Sequence, residues 1–106
     1  MAYKLFFLPQ ARMEWEQLDG SLKQLFKNTL AKRLVTSRVP GAQLRAPLID
    51  CYKIKLRGIG YRLIYLVRDD REVPNIVVLT VGRRNGGIYE AAAAAFEAGR
   101  HFGATS

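Results

Sequence analysis

Apolar residues along this chain follow two rhythms, one helical and one of period two. Residues 3–8 form a short aromatic and aliphatic run that predicts a strand. Pro9 follows, and proline suits the first turn of a helix because its missing N–H costs nothing there. Residues 11–18 continue that helix, with Met13, Trp15 and Leu18 available for packing. Asp19-Gly20 breaks it. Ser21 starts a second helix, and Gln24 three residues later completes a capping-box pattern. Leu22, Leu25, Phe26, Thr29 and Leu30 then recur on one helical face, with Lys23, Lys27 and Lys32 away from it. Two helices joined by a two-residue break predict a helical hairpin lying on a sheet.

The period changes to two after the loop at 39–49. In residues 51–57, Tyr52, Ile54 and Leu56 alternate with Lys53, Lys55 and Arg57. In residues 61–68, Tyr61, Leu63, Tyr65 and Val67 alternate with Arg62, Ile64 and Leu66. Gly58-Ile59-Gly60 lies between them and fits a type II′ hairpin with Gly58 and Ile59 as its loop residues. That turn pairs Leu56 with Tyr61, Ile54 with Leu63 and Tyr52 with Tyr65, all from the apolar set. A slip by one residue would mix the faces. The same register sets Lys55 opposite Arg62, with Lys53 beside Ile64.

Residues 69–75 read as a charged turn, and 76–81 as a central strand apolar on both faces. A basic, glycine-rich loop, Gly82-Arg83-Arg84-Asn85-Gly86-Gly87, leads to a last helix over 88–97 containing five consecutive alanines. Gly99 is expected to stop that helix, leaving His101 in a frayed end. The expected fold is α+β in the order β-α-α-β-β-β-α. It has a small, mainly antiparallel sheet, a helical hairpin on one face and a basic concave face opposite. One domain over 1–98 and a flexible tail over 99–106 complete it.

Composition narrows the chemistry. A chain of 106 residues and 12.0 kDa holds one domain. One cysteine, Cys51, allows no internal disulfide and no thiolate zinc site, so no metal ligand set is expected. Cys51 reads as a small buried hydrophobe. One histidine, His101, rules out histidine-pair nucleases and most nucleophile–histidine triads. No run approaches the roughly 20 apolar residues of a membrane helix, and no signal segment is visible, so a cytoplasmic protein is expected. The net charge of +8 is concentrated in one block. Residues 21–62 carry ten basic side chains against a single acid, Asp50. Such a block suits a polyanionic partner.

The topology gathers Lys53, Lys55, Arg57, Arg62, Arg83 and Arg84 with Tyr89 at the head of the last helix. Arginine can stabilise charge developing on a phosphate. Tyrosine can stack on a base or move a proton. Crowding among cations disfavours a lysine's charged form, which lets a lysine act as general base without histidine. RNA brings its own nucleophile, the 2′-OH, so neither a metal cofactor nor a covalent intermediate is required. The residues alone leave two readings open, a nuclease face and a passive nucleic-acid-binding face.

The segment Cys51-Tyr52-Lys53-Ile54-Lys55-Leu56-Arg57-Gly58-Ile59-Gly60-Tyr61-Arg62-Leu63-Ile64-Tyr65 resembles the central hairpin of RelE-type toxins. These belong to the RelE/ParE superfamily of bacterial toxin–antitoxin systems. Glu14-Trp15, Leu44-Arg45, Val81-Gly82-Arg83-Arg84 and Tyr89 fit the same pattern. The resemblance implies a ribosome-dependent endoribonuclease that cuts mRNA in the A site and leaves a 2′,3′-cyclic phosphate and a 5′-OH. It implies Lys53 and Lys55 as the basic pair, either of which could take the 2′-OH proton, with Lys55 preferred, and Arg62 as stabiliser of the transition state. Arg84 falls in a second functional arginine position, and Tyr89 matches a tyrosine that stacks on the substrate base. Lys23, Lys27, Lys32, Arg45, Arg57 and Arg83 are expected to bind RNA. The implied partners are the 70S ribosome with its mRNA and a RelB-like antitoxin, the toxin alone being a monomer. A ParE-like gyrase poison and an inactive nucleic-acid-binding relative are the alternatives. The loop Asn85-Gly86-Gly87 departs from the family pattern, being one residue shorter and lacking an extra arginine.

Overall fold

The computed structural model describes residues 2–103. It comprises β1 (Lys4–Phe7), α1 (Pro9–Glu16), α2 (Gly20–Arg33), β2 (Cys51–Leu56), β3 (Tyr61–Arg68), β4 (Asn75–Arg83) and α3 (Ile88–His101). The sheet order is β1-β4-β3-β2. β1 runs parallel to β4, and the other two pairings are antiparallel, so the sheet is mixed. The element order and the α+β class are those expected.

The helical hairpin covers the face formed by Tyr52, Ile54, Leu63 and Tyr65. Phe26, Leu30 and Leu22 project from α2 into this core at intervals of four residues. Trp15 joins them, 5.3 Å from the Phe7 ring and 6.2 Å from that of Phe26. Met13 stays exposed, outside the core it was expected to join. Tyr65 is fully buried and ties the layers together. Its hydroxyl donates to Ser37 O at 2.6 Å and accepts from Arg33 Nη1 at 2.9 Å.

The opposite face is not left bare. α3 lies across part of it, packing on β4 and β3, which is why both strands are apolar on both sides. The basic residues are confined to the end that α3 leaves open. α3 also runs further than the sequence pattern suggested. Gly99 does not stop it; this glycine is buried inside the helix, where a Cβ would collide with Leu79 Cδ2. Glycine there permits close approach to the sheet. The helix end is then satisfied from β3, because Arg68 donates to Gly99 O at 3.2 Å and Phe102 O at 2.7 Å. His101 is accordingly the last helical residue, 3.6 Å from Glu97, and not part of a frayed end. Residues 104–106 of the expected tail lie outside the described residues.

Two local predictions change. The cap of α2 is Asp19, whose carboxylate accepts from Leu22 N at 2.9 Å and from Ser21 Oγ at 2.7 Å. Ser21 therefore supports the cap instead of forming it, and Gln24 bonds Asn28. The β2–β3 register is the one expected, from Tyr52 against Tyr65 to Leu56 against Tyr61. The connection differs: the ladder ends at Leu56–Tyr61, and Ile59 N donates to Leu56 O at 3.3 Å. That bond makes Gly58 (φ 75°) the third residue of its turn, as in type II, and not the first loop residue of type II′.

Candidate active site

Three segments meet at the open end of the sheet: the β2–β3 turn, the first residues of β3, and the end of β4 with its following loop. They enclose a groove of about 500 Å³. Lys55, Arg57, Arg62, Arg83 and Arg84 line it, with Asn85 and the turn glycines, and no carboxylate does. Strand register explains the clustering. Lys55 stands directly opposite Arg62, and Arg62 opposite Gly82. Like charges face each other across the first pair, an arrangement that disfavours folding by itself. Across the second, glycine brings no side chain of its own, and Ile88 Cδ1 would lie 3.8 Å from a Cβ placed there.

The cations are held differently. Arg83 lies over the Tyr61 ring, 5.4 Å from its centroid, so an aromatic face already engages it. Arg84 N donates to Gly60 O at 2.7 Å and ties the β4 loop to the hairpin turn. Arg62 has no such partner. Its Nε is buried and makes no hydrogen bond among the described residues. A buried donor left unpaired costs about 1–3 kcal/mol.

The remaining sequence-predicted residues lie apart. Lys53 shares the face of Lys55, one step along β2 and opposite Ile64, but does not line the groove. Tyr89 sits in the first turn of α3, half-buried against the core, and does not line it either. Gly87 (φ 76°) is the cap just before the helix and turns directly into it. Lys23 is half-buried and 3.5 Å from Glu16. Lys27, Lys32 and Arg45 are exposed on other parts of the surface.

Sequence reasoning missed two contributors. Arg33 supports β2 from beneath by donating to Lys53 O at 3.2 Å. Glu14 Oε1 accepts from Thr80 Oγ1 at 2.9 Å and from Val81 N at 3.1 Å, immediately before the basic loop. Its place beside Trp15 on the inward side of α1 was the available signal. Cys51 is fully buried, and burial, with Asp50 adding to it, pushes its thiol up to about 12. A thiol so poised is no nucleophile.

A small α+β domain with a carboxylate-free cationic groove at the end of its hairpin defines the class. The chain belongs to the ParE toxin family of type II toxin–antitoxin systems. The family described as "ParE toxin of type II toxin-antitoxin system, parDE" matches residues 5–86. The mRNA interferase toxin RelE of Escherichia coli (strain K12) is 42% identical over 84 residues, which are 79% of this chain and 85% of the relative. The mRNA interferase RelE of Shigella flexneri matches to the same extent. A free E. coli toxin RelE with two arginine-to-alanine substitutions superimposes with a TM-score of 0.79 at 37% identity, covering 89% of this chain and 97% of that one. The toxin of the intact E. coli RelBE toxin–antitoxin complex gives 0.69 at 39% identity, covering 77% and 96%. No helix among the described residues is long and apolar enough to cross a membrane.

Proposed function

We propose that this protein is the toxin of a type II toxin–antitoxin pair and an mRNA interferase that cleaves mRNA on the ribosome. The observation that carries this reading is a groove lined by Lys55, Arg57, Arg62, Arg83 and Arg84 and by no carboxylate. In the reaction, the 2′-oxygen of the RNA attacks the adjacent phosphorus. The amine of Lys55 accepts the 2′-OH proton. Arg62 donates to the phosphate oxygens as charge gathers on them, as does Arg84, which lines the same groove. The bond from phosphorus to the 5′-oxygen breaks, and that oxygen takes up a proton from water. The products are a 2′,3′-cyclic phosphate and a 5′-OH. Lys53, one step along β2, holds a neighbouring phosphate, and the exposed part of Tyr89 stacks on a base. Lys23, Lys27, Lys32, Arg45, Arg57 and Arg83 contact RNA.

The same reading supplies the partners and the setting. E. coli RelE is solved in complex with the antitoxin RelB as well as free, and a RelB-like antitoxin silences this toxin, which acts in the cytoplasm. A second reading, a gyrase poison, is favoured by the family description, which names ParE. The identity to RelE at 42% and the Lys-x-Lys strand opposite Arg62 weigh against it.

Primer extension on a reporter mRNA in a bacterial cell-free translation reaction separates the two. Codon-spaced cuts that vanish when ribosomes are omitted are expected. Intact mRNA together with stabilised gyrase–DNA cleavage complexes would favour the ParE-like reading.

A further inference from the structure

We propose that Glu14 is a positioning residue, which fixes the end of β4 so that Arg84 is held on the wall of the groove. The inference rests on the mRNA-interferase reading above and names a residue on which that site depends.

The need for such a residue comes from a break in the sheet. The β3–β4 register shifts between Ile64 and Tyr65: Tyr65 pairs with Val78 and Ile64 with Thr80, so Leu79 is an extra residue. A bulge of this kind bends its strand and interrupts the ladder. Everything beyond it, from Thr80 to the arginines, is a separately registered piece. β1 gives this piece no help, because its last pair is Phe7 with Val78. The edge of β4 facing β1 is therefore open from the bulge onward, and Val81 N points toward it.

Glu14 fills that opening. One carboxylate oxygen accepts from both Thr80 Oγ1 and Val81 N. Its helix is well anchored, since Ala11 and Trp15 on either side of Glu14 are buried in the core. On its other edge, the segment is held by the Arg62–Gly82 and Tyr61–Arg83 pairs and by the Arg84 N to Gly60 O bond. Glu14 thus completes a two-sided grip on the strand that ends in Arg83 and Arg84. Hydrogen bonds donated to a carboxylate are stronger than those between neutral groups, and small misplacements of a catalytic group are costly in rate.

The test is single-turnover cleavage of a defined mRNA on saturating ribosomes by the parent, Glu14→Ala, Glu14→Gln, Arg84→Ala and the Glu14→Ala/Arg84→Ala double variant. Amide exchange at Val81–Arg84 is followed in the free proteins. Glu14→Ala is expected to slow the cleavage step about 10- to 100-fold while ribosome affinity is unchanged. Its amides at 81–84 should exchange faster, with those of α2 and β2 unaffected. Glu14→Gln, which keeps an accepting oxygen, should restore most of the rate. The double variant should be no slower than Arg84→Ala, because the two residues act through one device. Parent-like cleavage by Glu14→Ala overturns the inference, and so do losses that multiply in the double variant. A parent that leaves ribosome-bound mRNA intact overturns the mRNA-interferase reading instead, and the inference with it.

Discussion

Replacing Tyr65 by Phe removes one oxygen from the centre of the molecule and leaves the ring in place. The ring contacts survive: the stack on Tyr52 at 5.9 Å and the Arg33 guanidinium 5.7 Å from its centroid. What is lost is the donor to Ser37 O and the acceptor for Arg33 Nη1. Ser37 is only 4% exposed, so its carbonyl has little access to water. Leaving it unpaired costs about 1–3 kcal/mol. Arg33 loses less, since it is half-buried and keeps its bond to Lys53 O. The expected destabilisation is about 2 kcal/mol. For a domain of this size each kcal/mol shifts the midpoint by roughly 4–8 °C, so Tm should fall by about 8–16 °C. Thermal unfolding followed by far-UV circular dichroism, with urea titration for the free energy, gives the value. A loss below about 0.5 kcal/mol would refute the claim that this hydroxyl joins the loop after α2 to the sheet.

Other outcomes follow from the same geometry. Gly99→Ala should lower stability by about 1 kcal/mol in urea titration, because overpacking against Leu79 costs about 1–3 kcal/mol and the gain in helix propensity returns at most about 1. Cys51 should react with iodoacetamide at pH 8 about 100-fold or more slowly in the folded protein than in urea, as mass spectrometry would record. Asp69 is held below its ordinary pKa chiefly by the Arg38 side-chain hydrogen bond. A carboxyl depressed in the folded state stabilises above its unfolded value, near 3.8, and loses that contribution as pH falls through the folded one. Asp69→Asn should therefore flatten the decline in stability below about pH 4, measured by urea titration across pH 2.5–6.

The hairpin was legible because period-two patterning on both strands specifies one register, and a slip exposes its error at every position. Its turn was not, since two glycines with positive φ fit several connections equally well. The end of α3 was misread for a related reason. Glycine normally terminates helices, and only the placement of Leu79 beneath residue 99 and of Arg68 beyond it turns Gly99 into a packing residue. α3 also covers part of the expected basic face, which was not legible because an alanine-rich helix announces no partner. The cations themselves were readable from charge and alternation. The orphan Nε of Arg62 and the grip of Glu14 on the bulged strand were not, because both depend on contacts between distant segments.

The measurement that bears most directly on the proposed chemistry is cleavage of an mRNA with a single 2′-deoxy nucleotide at the scissile position, bound to ribosomes and mixed with the purified toxin. The groove supplies cations and a proton acceptor, and the RNA supplies the nucleophile. Cleavage should disappear at the deoxy site, while the all-ribose control is cut there and leaves a 2′,3′-cyclic phosphate. Undiminished cutting at the deoxy position would mean that the nucleophile comes from elsewhere, and would contradict the roles given to Lys55 and Arg62.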